Sequence, residues 1–171
     1  MKVYIVVDMQ NDFIDMALGT KEAALIVQPM IKYLSSLPSS SYIVATRDTH
    51  QENYLDTNEG KYLPIKHCIE GSRGWEICDA LKDTIKFNEV VNKSNFGISA
   101  EKWRDILGND VEEITLMGLC TDICVVSNAL ALKVAYPDIK ISVKKDLCAG
   151  VTVDSHNAAL ITMAMCQVEI I

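Results

Sequence analysis

Short β-branched apolar runs, each stopping at a charged or reactive side chain and each followed by a helical pattern, limit this chain's fold more than any other feature. Val3 to Val7 (VYIVV) is the first, and it ends at Asp8. Tyr42 to Thr46 (YIVAT) is the second, followed by Arg47 and Asp48. Phe87 to Asn92, Ile114 to Leu119, Ile139 to Val143 and Gln167 to Ile171 complete a predicted set of six strands. Helical patterns fall between them, beginning with Lys21 to Ser36, where Leu25, Val27, Ile31 and Leu34 lie roughly on one face. Others are Trp75 to Leu81, Ala100 to Leu107 closed by Gly108 and Asn109, Thr121 to Val134, and Asp154 to Met165. Thr121 or Asp122 is the expected N-cap of the fourth. Strands that alternate with helices predict an α/β fold, a Rossmann-like three-layer α/β/α arrangement around a mostly parallel sheet. The 171 residues contain no repeat, low-complexity run or linker. They suit a single domain, residues 1–171, with one continuous core.

The formal charge of −7 opposes binding to a phosphate backbone, so no nucleic-acid partner is expected. No run approaches the roughly 18 apolar residues of a membrane-spanning helix. The amino-terminal apolar run is interrupted by Asp8 and lacks a cleavage signal, so it reads as a strand and not as an export sequence. Six cysteines without such a signal suggest reduced thiols and a cytoplasmic location.

Parallel sheets of this type bind ligands in the crevice at the carboxyl ends of their strands. Asp8, Asp48, Lys93 and the Cys120 to Cys124 segment each lie just past such an end, so four reactive groups should converge on one edge. Cys124 falls in the first turn of a predicted helix. The free N–H groups and dipole there favour a thiolate, which makes Cys124 a plausible nucleophile. Between Asp48 and Gly74 about 25 residues show no strong periodicity, and loops of that length are usually functional. Asp48 and His50 are two apart and would share one side of a continued strand. Glu59 and His67 follow in the long loop. Two imidazoles with two carboxylates suit a divalent transition metal, Zn²⁺ first, with Mn²⁺ and Fe²⁺ as alternatives.

Five segments, DMQNDF at 8–13, RDTH at 47–50, LPIKHCIEGSRGWE at 63–76, KSNF at 93–96 and GLCTDICV at 118–125, together resemble the isochorismatase-like cysteine hydrolases. Within that family the nicotinamidases are the nearest match. The resemblance covers nearly the whole chain in the family's order. It implies the isochorismatase-like hydrolase fold with about six strands and a catalytic triad of Asp8, Lys93 and Cys124. It also implies a non-proline cis peptide before Cys120 and an oxyanion hole formed by the backbone N–H groups of Cys120 and Cys124. The metal would sit on Asp48, His50 and His67, with Glu59 as a further ligand. Phe13 matches a position that packs on the substrate ring, and Phe96 is a second aromatic beside the triad.

The implied activity is hydrolysis of a small amide, nicotinamide to nicotinate and ammonia, through a thioester. A carbamoyl or ureido compound is an alternative substrate, and a non-hydrolytic redox protein using Cys120 and Cys124 is an alternative of another class. The chain departs from the family at Cys120, where a small residue such as alanine is usual. Thr49 stands where many nicotinamidases have tryptophan, and Ile123 where many have tyrosine. Trp75 and Tyr54 are expected to replace the missing aromatic wall. His156 reads as a capping or surface residue. The expected partner is a small-molecule amide, with assembly into a homo-oligomer left open.

Overall fold

The computed structural model describes residues 1–171 and contains one six-stranded sheet in the order β3-β2-β1-β4-β5-β6. The strands are β1 (Lys2–Val7), β2 (Tyr42–Asp48), β3 (Glu89–Lys93), β4 (Glu113–Leu119), β5 (Lys140–Ala149) and β6 (Glu169–Ile170). Every neighbouring pair is parallel. The helices are α1 (Asn11–Ile14), α2 (Lys21–Ser35), α3 (Asn58–Tyr62), α4 (Asp79–Lys82), α5 (Ala100–Leu107), α6 (Val126–Ala135) and α7 (Val153–Met165). Helix α2 packs with α1 and α4, whereas α5 meets α6 and α6 meets α7. No helix is long and apolar enough to cross a membrane.

Residues Val3–Val7 are all buried, as expected of a central parallel strand covered on both faces. Successive strands are added outward in opposite senses from β1 and from β4, and this switch point opens the crevice where Asp8 and the Cys120–Cys124 segment emerge. Gly118 makes this close approach feasible. Its φ is +126°, and a Cβ there would lie 2.1 Å from the carbonyl oxygen of Val7.

Several boundaries differ from the sequence expectation. The buried face of α2 is Ala23, Ile26, Val27, Met30 and Leu34, and Leu25 is exposed. The i, i+3, i+4, i+7 series starts at the small Ala23, which the larger neighbouring side chains obscure. The helix expected over Trp75 to Leu81 is only Asp79–Lys82, because the preceding residues bond to the chain after β1. Asn11 N–H donates to Glu76 O and Cys78 N–H donates to Met9 O. β5 runs to Ala149, well past Val143, after a register shift against β4. β6 is two residues long, not five. The long loop is also partly ordered locally. It holds a 3₁₀ turn, Tyr54–Asp56, and then α3, whose first turn is capped by Thr57 Oγ1 accepting from Gly60 N–H.

Candidate active site

Three strand ends bring Asp8, Asp48 and Lys93 together. Asp8 follows β1 with φ +49°, an uncommon conformation for a residue other than glycine, and its carboxylate is fully buried. Its N–H donates to Thr46 O at 3.2 Å, and Thr46 Oγ1 donates to Asp8 Oδ1 at 2.6 Å. Lys93 ends β3 directly opposite Asp48. Its Nζ lies 2.7 Å from Asp8 Oδ2, 3.2 Å from Asp48 Oδ1 and 3.4 Å from Cys124 Sγ. An ion pair with Asp8 and hydrogen bonds to Asp48 and Cys124 therefore surround the ammonium, which is how a buried charge is retained. Burial disfavours the charge on Lys93, but the Asp8 and Asp48 carboxylates more than reverse this and raise its pKa.

Gln10 is a support the sequence reading missed. Its fully buried amide accepts from Asp48 N–H at 2.7 Å and donates to Asp48 O and Trp75 O, each at 2.8 Å. Thr46, equally unanticipated, lies two residues before Asp48 in the strand. Alternation along β2 could have revealed it, since positions 46 and 48 share a face.

The Cys120–Cys124 segment is not the simple helix start expected over Thr121 to Val134. Residues Thr121–Val125 form one π turn that passes into α6, and the N-cap is Cys120, not Thr121 or Asp122. Val125 N–H donates to Cys120 O, the five-residue spacing of such a turn. The Leu119–Cys120 peptide is cis, as the resemblance implied. The N–H of Cys120 donates to no group within the chain. Cys124 is buried inside the π turn, and burial together with Asp8 raises its thiol well above the ordinary value, with Lys93 opposing. Burial beside Asp8 therefore favours a neutral thiol, and not the ready-made thiolate expected at a helix N-terminus. His156 is not a cap, because Thr152 and Ser155 cap α7 by themselves. Its Nδ1 instead bonds Thr121 Oγ1 at 2.7 Å and ties α7 to the π turn.

Asp48, His50, Glu59 and His67 converge so that one ligand atom from each lies within 4.8 Å of the others. His50 Nε2 is 2.8 Å from Asp48 Oδ2 and 3.6 Å from Glu59 Oε1, while His67 Nε2 is 3.6 Å and 3.8 Å from the same oxygens. His67 Nδ1 contacts the Ile65 carbonyl at 2.8 Å, which can only accept, so Nδ1 carries the hydrogen. A neutral ring then presents the Nε2 lone pair to the centre. His50 Nε2 is buried and makes no hydrogen bond. Burial raises Asp48, yet the facing His50 and His67 rings and the charge of Lys93 outweigh this and hold it far below its usual range. An orphaned imidazole nitrogen among anionic oxygens is the environment a divalent cation satisfies, so the donor set fits the expected metal.

A cavity of about 330 Å³ joins the two clusters. Cys124 and Cys120 line one part, Asp48 and Glu59 another, and Phe13 and Phe96 are both in its wall. Phe13 also packs on the His67 ring, with centroids 5.6 Å apart. The remaining wall comes from Leu18, Thr20, Tyr62, Leu63, Ile123 and Val151. Tyr54 and Trp75, expected there, are elsewhere. Tyr54 is fully buried behind the His50 and His67 rings, at 4.7 Å and 4.9 Å. Trp75 lies under Arg47 and donates from Nε1 to Thr49 Oγ1 at 2.9 Å. Tyr62 escaped notice because only the short helix α3 brings it to the cavity.

Comparison with known proteins agrees with this geometry. The isochorismatase-domain model matches residues 2–171. The nicotinamidase/pyrazinamidase of Mycobacterium tuberculosis is 28% identical over 193 residues, covering 100% of this chain and 98% of that protein. The pyrazinamidase of Pyrococcus horikoshii in complex with zinc superposes with a TM-score of 0.79 at 25% identity, over 99% and 98% of the two chains. PnC1 of L. infantum in complex with nicotinate has the same fold, with a TM-score of 0.85 at 23% identity over 100% and 92%. The parallel sheet with its β1/β4 crevice and the match across residues 2–171 together mean that this chain belongs to the isochorismatase family.

Proposed function

We propose that this amide-bond hydrolase converts nicotinamide to nicotinate and ammonia through a thioester on Cys124, with Asp8 and Lys93 as its partners. The observation that carries the reading is one cavity whose wall includes Cys124 of the buried Asp8–Lys93–Cys124 cluster and Asp48 and Glu59 of the four-residue metal set. The Mycobacterium tuberculosis relative named nicotinamidase/pyrazinamidase and the nicotinate complex of a protein of the same fold support the substrate class.

In this mechanism Cys124 Sγ attacks the carboxamide carbon while its proton passes to Asp8. Lys93 remains an ammonium 3.4 Å from the sulfur and stabilises the charge developing there. The N–H groups of Cys120 and Cys124 receive the carbonyl oxygen as it becomes anionic. Asp8 then returns the proton to the amide nitrogen, the C–N bond breaks and ammonia leaves. Water attacks the thioester, Asp8 takes its proton, and collapse frees the carboxylic acid and restores the thiol.

Asp48, His50, Glu59 and His67 would hold the metal, with zinc first and manganese or iron as alternatives; the zinc complex of the Pyrococcus horikoshii protein supports that order. When bound, the metal supplies a Lewis-acidic position for a ring nitrogen or a water. Phe13 and Phe96 would cover the ring, so that carboxamide and ring are fixed from different sides. The redox alternative is less well supported, since burial pushes the Cys120 thiol up to about 12 and leaves it a poor partner for exchange. We place the protein, as a single domain of residues 1–171, in the cytoplasm, where its six free cysteines stay reduced. There its product would feed pyridine nucleotide salvage.

The test is kcat/KM for nicotinamide, benzamide and a linear ureide on one preparation, with and without a chelator. Nicotinamide should be preferred, benzamide should bind worse and react slowly for want of the ring nitrogen, and chelation should remove most of the difference. A ureide that outperforms nicotinamide, or benzamide that equals it, would leave only a general amidase.

A further inference from the structure

We propose that Asn128 is a positioning residue that holds the nucleophile turn and the Phe96 wall of the cavity at a fixed spacing. The inference rests on the reading of Cys124 as nucleophile and Phe96 as a ring contact. Asn128 belongs to α6 and its side chain is fully buried. Its Nδ2 donates to Cys124 O at 2.8 Å and to Phe96 O at 3.2 Å. Its Oδ1 accepts from Ile98 N–H at 3.0 Å and from Trp103 Nε1 at 3.3 Å. An asparagine amide has two donor hydrogens and two acceptor lone pairs, so every capacity is used.

The location explains why an amide is needed. The π turn bonds across five residues and α6 across four, so the carbonyls at the junction lie where the hydrogen-bond register changes. Two successive carbonyls there take side-chain donors. Ser127 Oγ donates to Ile123 O at 2.6 Å, and Asn128 Nδ2 donates to Cys124 O. The loop after Lys93 meets the same junction closely, since a Cβ on Gly97 would come within 3.1 Å of Ser127 Cβ. One donor group thus bonds the carbonyl of the nucleophile and the carbonyl of the aromatic wall, on two segments that share no strand.

The experiment compares wild type with Asn128→Leu, Asn128→Ser and Trp103→Phe. The Leu side chain is close in size and makes none of the four bonds. The Ser hydroxyl can return to the Cys124 carbonyl four residues back but is too short to reach Phe96 O. Trp103→Phe removes the Nε1 bond together with part of the buried indole, and reports the cost of disturbing the same core away from the reacting atoms. Readouts are kcat and KM for nicotinamide, and the rate at which iodoacetamide alkylates Cys124, followed by peptide mass spectrometry. Asn128→Leu should lower kcat/KM about 100-fold, the scale set by a misplacement near 1 Å, and should change the Cys124 alkylation rate severalfold. Asn128→Ser should recover most of kcat and the wild-type alkylation rate while KM stays raised. Trp103→Phe should leave kcat, KM and alkylation within about twofold, even though its Tm falls. Wild-type kinetics and alkylation in Asn128→Leu would reduce Asn128 to ordinary core. If that variant does not fold, an Asn128→Ser protein with wild-type KM would overturn the proposal. Should wild type fail to hydrolyse nicotinamide, the proposed function falls, but the alkylation contrast between Asn128→Ser and Asn128→Leu, or between Asn128→Ser and wild type, still decides this point.

Discussion

Thr46→Val removes one hydroxyl from the core with almost no change of shape, and it isolates how Asp8 is kept ready to accept a proton. Thr46 Oγ1 donates to Asp8 Oδ1 at 2.6 Å, and both residues are fully buried. Thr46 Oγ1 also accepts from Asp8 N–H at 3.2 Å, but that N–H keeps its bond to Thr46 O, so no backbone group is orphaned. The main loss is thus the hydrogen bond to a charged acceptor, worth about 1.5–3 kcal/mol. Its pH dependence follows from Asp8. Burial raises the Asp8 pKa in the folded protein, Lys93 opposes this, and the Thr46 bond also lowers it. Without that bond the folded-state pKa rises further above the unfolded value. A raised carboxyl pKa contributes stability at low pH that is lost as pH passes through the folded value, so the variant's deficit should be small where Asp8 is protonated. It should reach its full size where Asp8 is ionised. Urea unfolding of both proteins at several pH values within the range where wild type is folded measures this, and the acid limb of kcat/KM should move to higher pH in parallel. An equal deficit at every pH, with an unmoved acid limb, would refute the assignment of an ionised Asp8 supported by Thr46.

Three further outcomes follow from the site. Cys124→Ala should abolish nicotinamide turnover while Cys120→Ala keeps most of it, because only the backbone N–H of Cys120 is used; ammonia release measures both. Elemental analysis of protein purified without a metal-affinity tag should find close to one transition metal per chain. His67→Ala should lower that occupancy by removing a ligand whose tautomer is fixed by Ile65 O. Phe13→Ala should raise KM more than it lowers kcat, since Phe13 lines the cavity and packs on the His67 ring but offers no proton or charge to the reaction, and steady-state kinetics separate the two effects.

Much of this arrangement was legible because strand ends are local features with a global meaning. The run VYIVV ending at Asp8 predicts a buried central strand, and in a parallel sheet its end must face the crevice. The i, i+2 relation of Asp48 and His50 likewise survived folding, with the two side chains 2.8 Å apart. What escaped the sequence depends on contacts between distant segments. Gln10, Thr46 and Asn128 are ordinary polar residues until the fold places their partners 38 residues away in the first two cases and about 30 in the third. Tyr54, Tyr62 and Trp75 all sit in one long loop, and composition cannot say which faces the cavity. The 3₁₀ turn buries Tyr54 behind the histidines, while the short α3 brings Tyr62 to the rim. The π turn is a change in hydrogen-bond register within a sequence that reads as continuous helix, and it moved Cys124 from an exposed helix start to a buried position. That difference changes the proposed chemistry from a preformed thiolate to a thiol with Asp8 as its base.

Acyl transfer to Cys124 is open to one direct observation. Protein mixed with nicotinamide, quenched with acid within milliseconds and digested should give a peptide spanning Cys124 that carries the pyridine-carbonyl group. Added hydroxylamine should remove that group, as it does a thioester. The same peptide from Cys124→Ala should be unmodified. Turnover with no acylated peptide at any quench time, or with the acyl group on a residue other than Cys124, would contradict the mechanism.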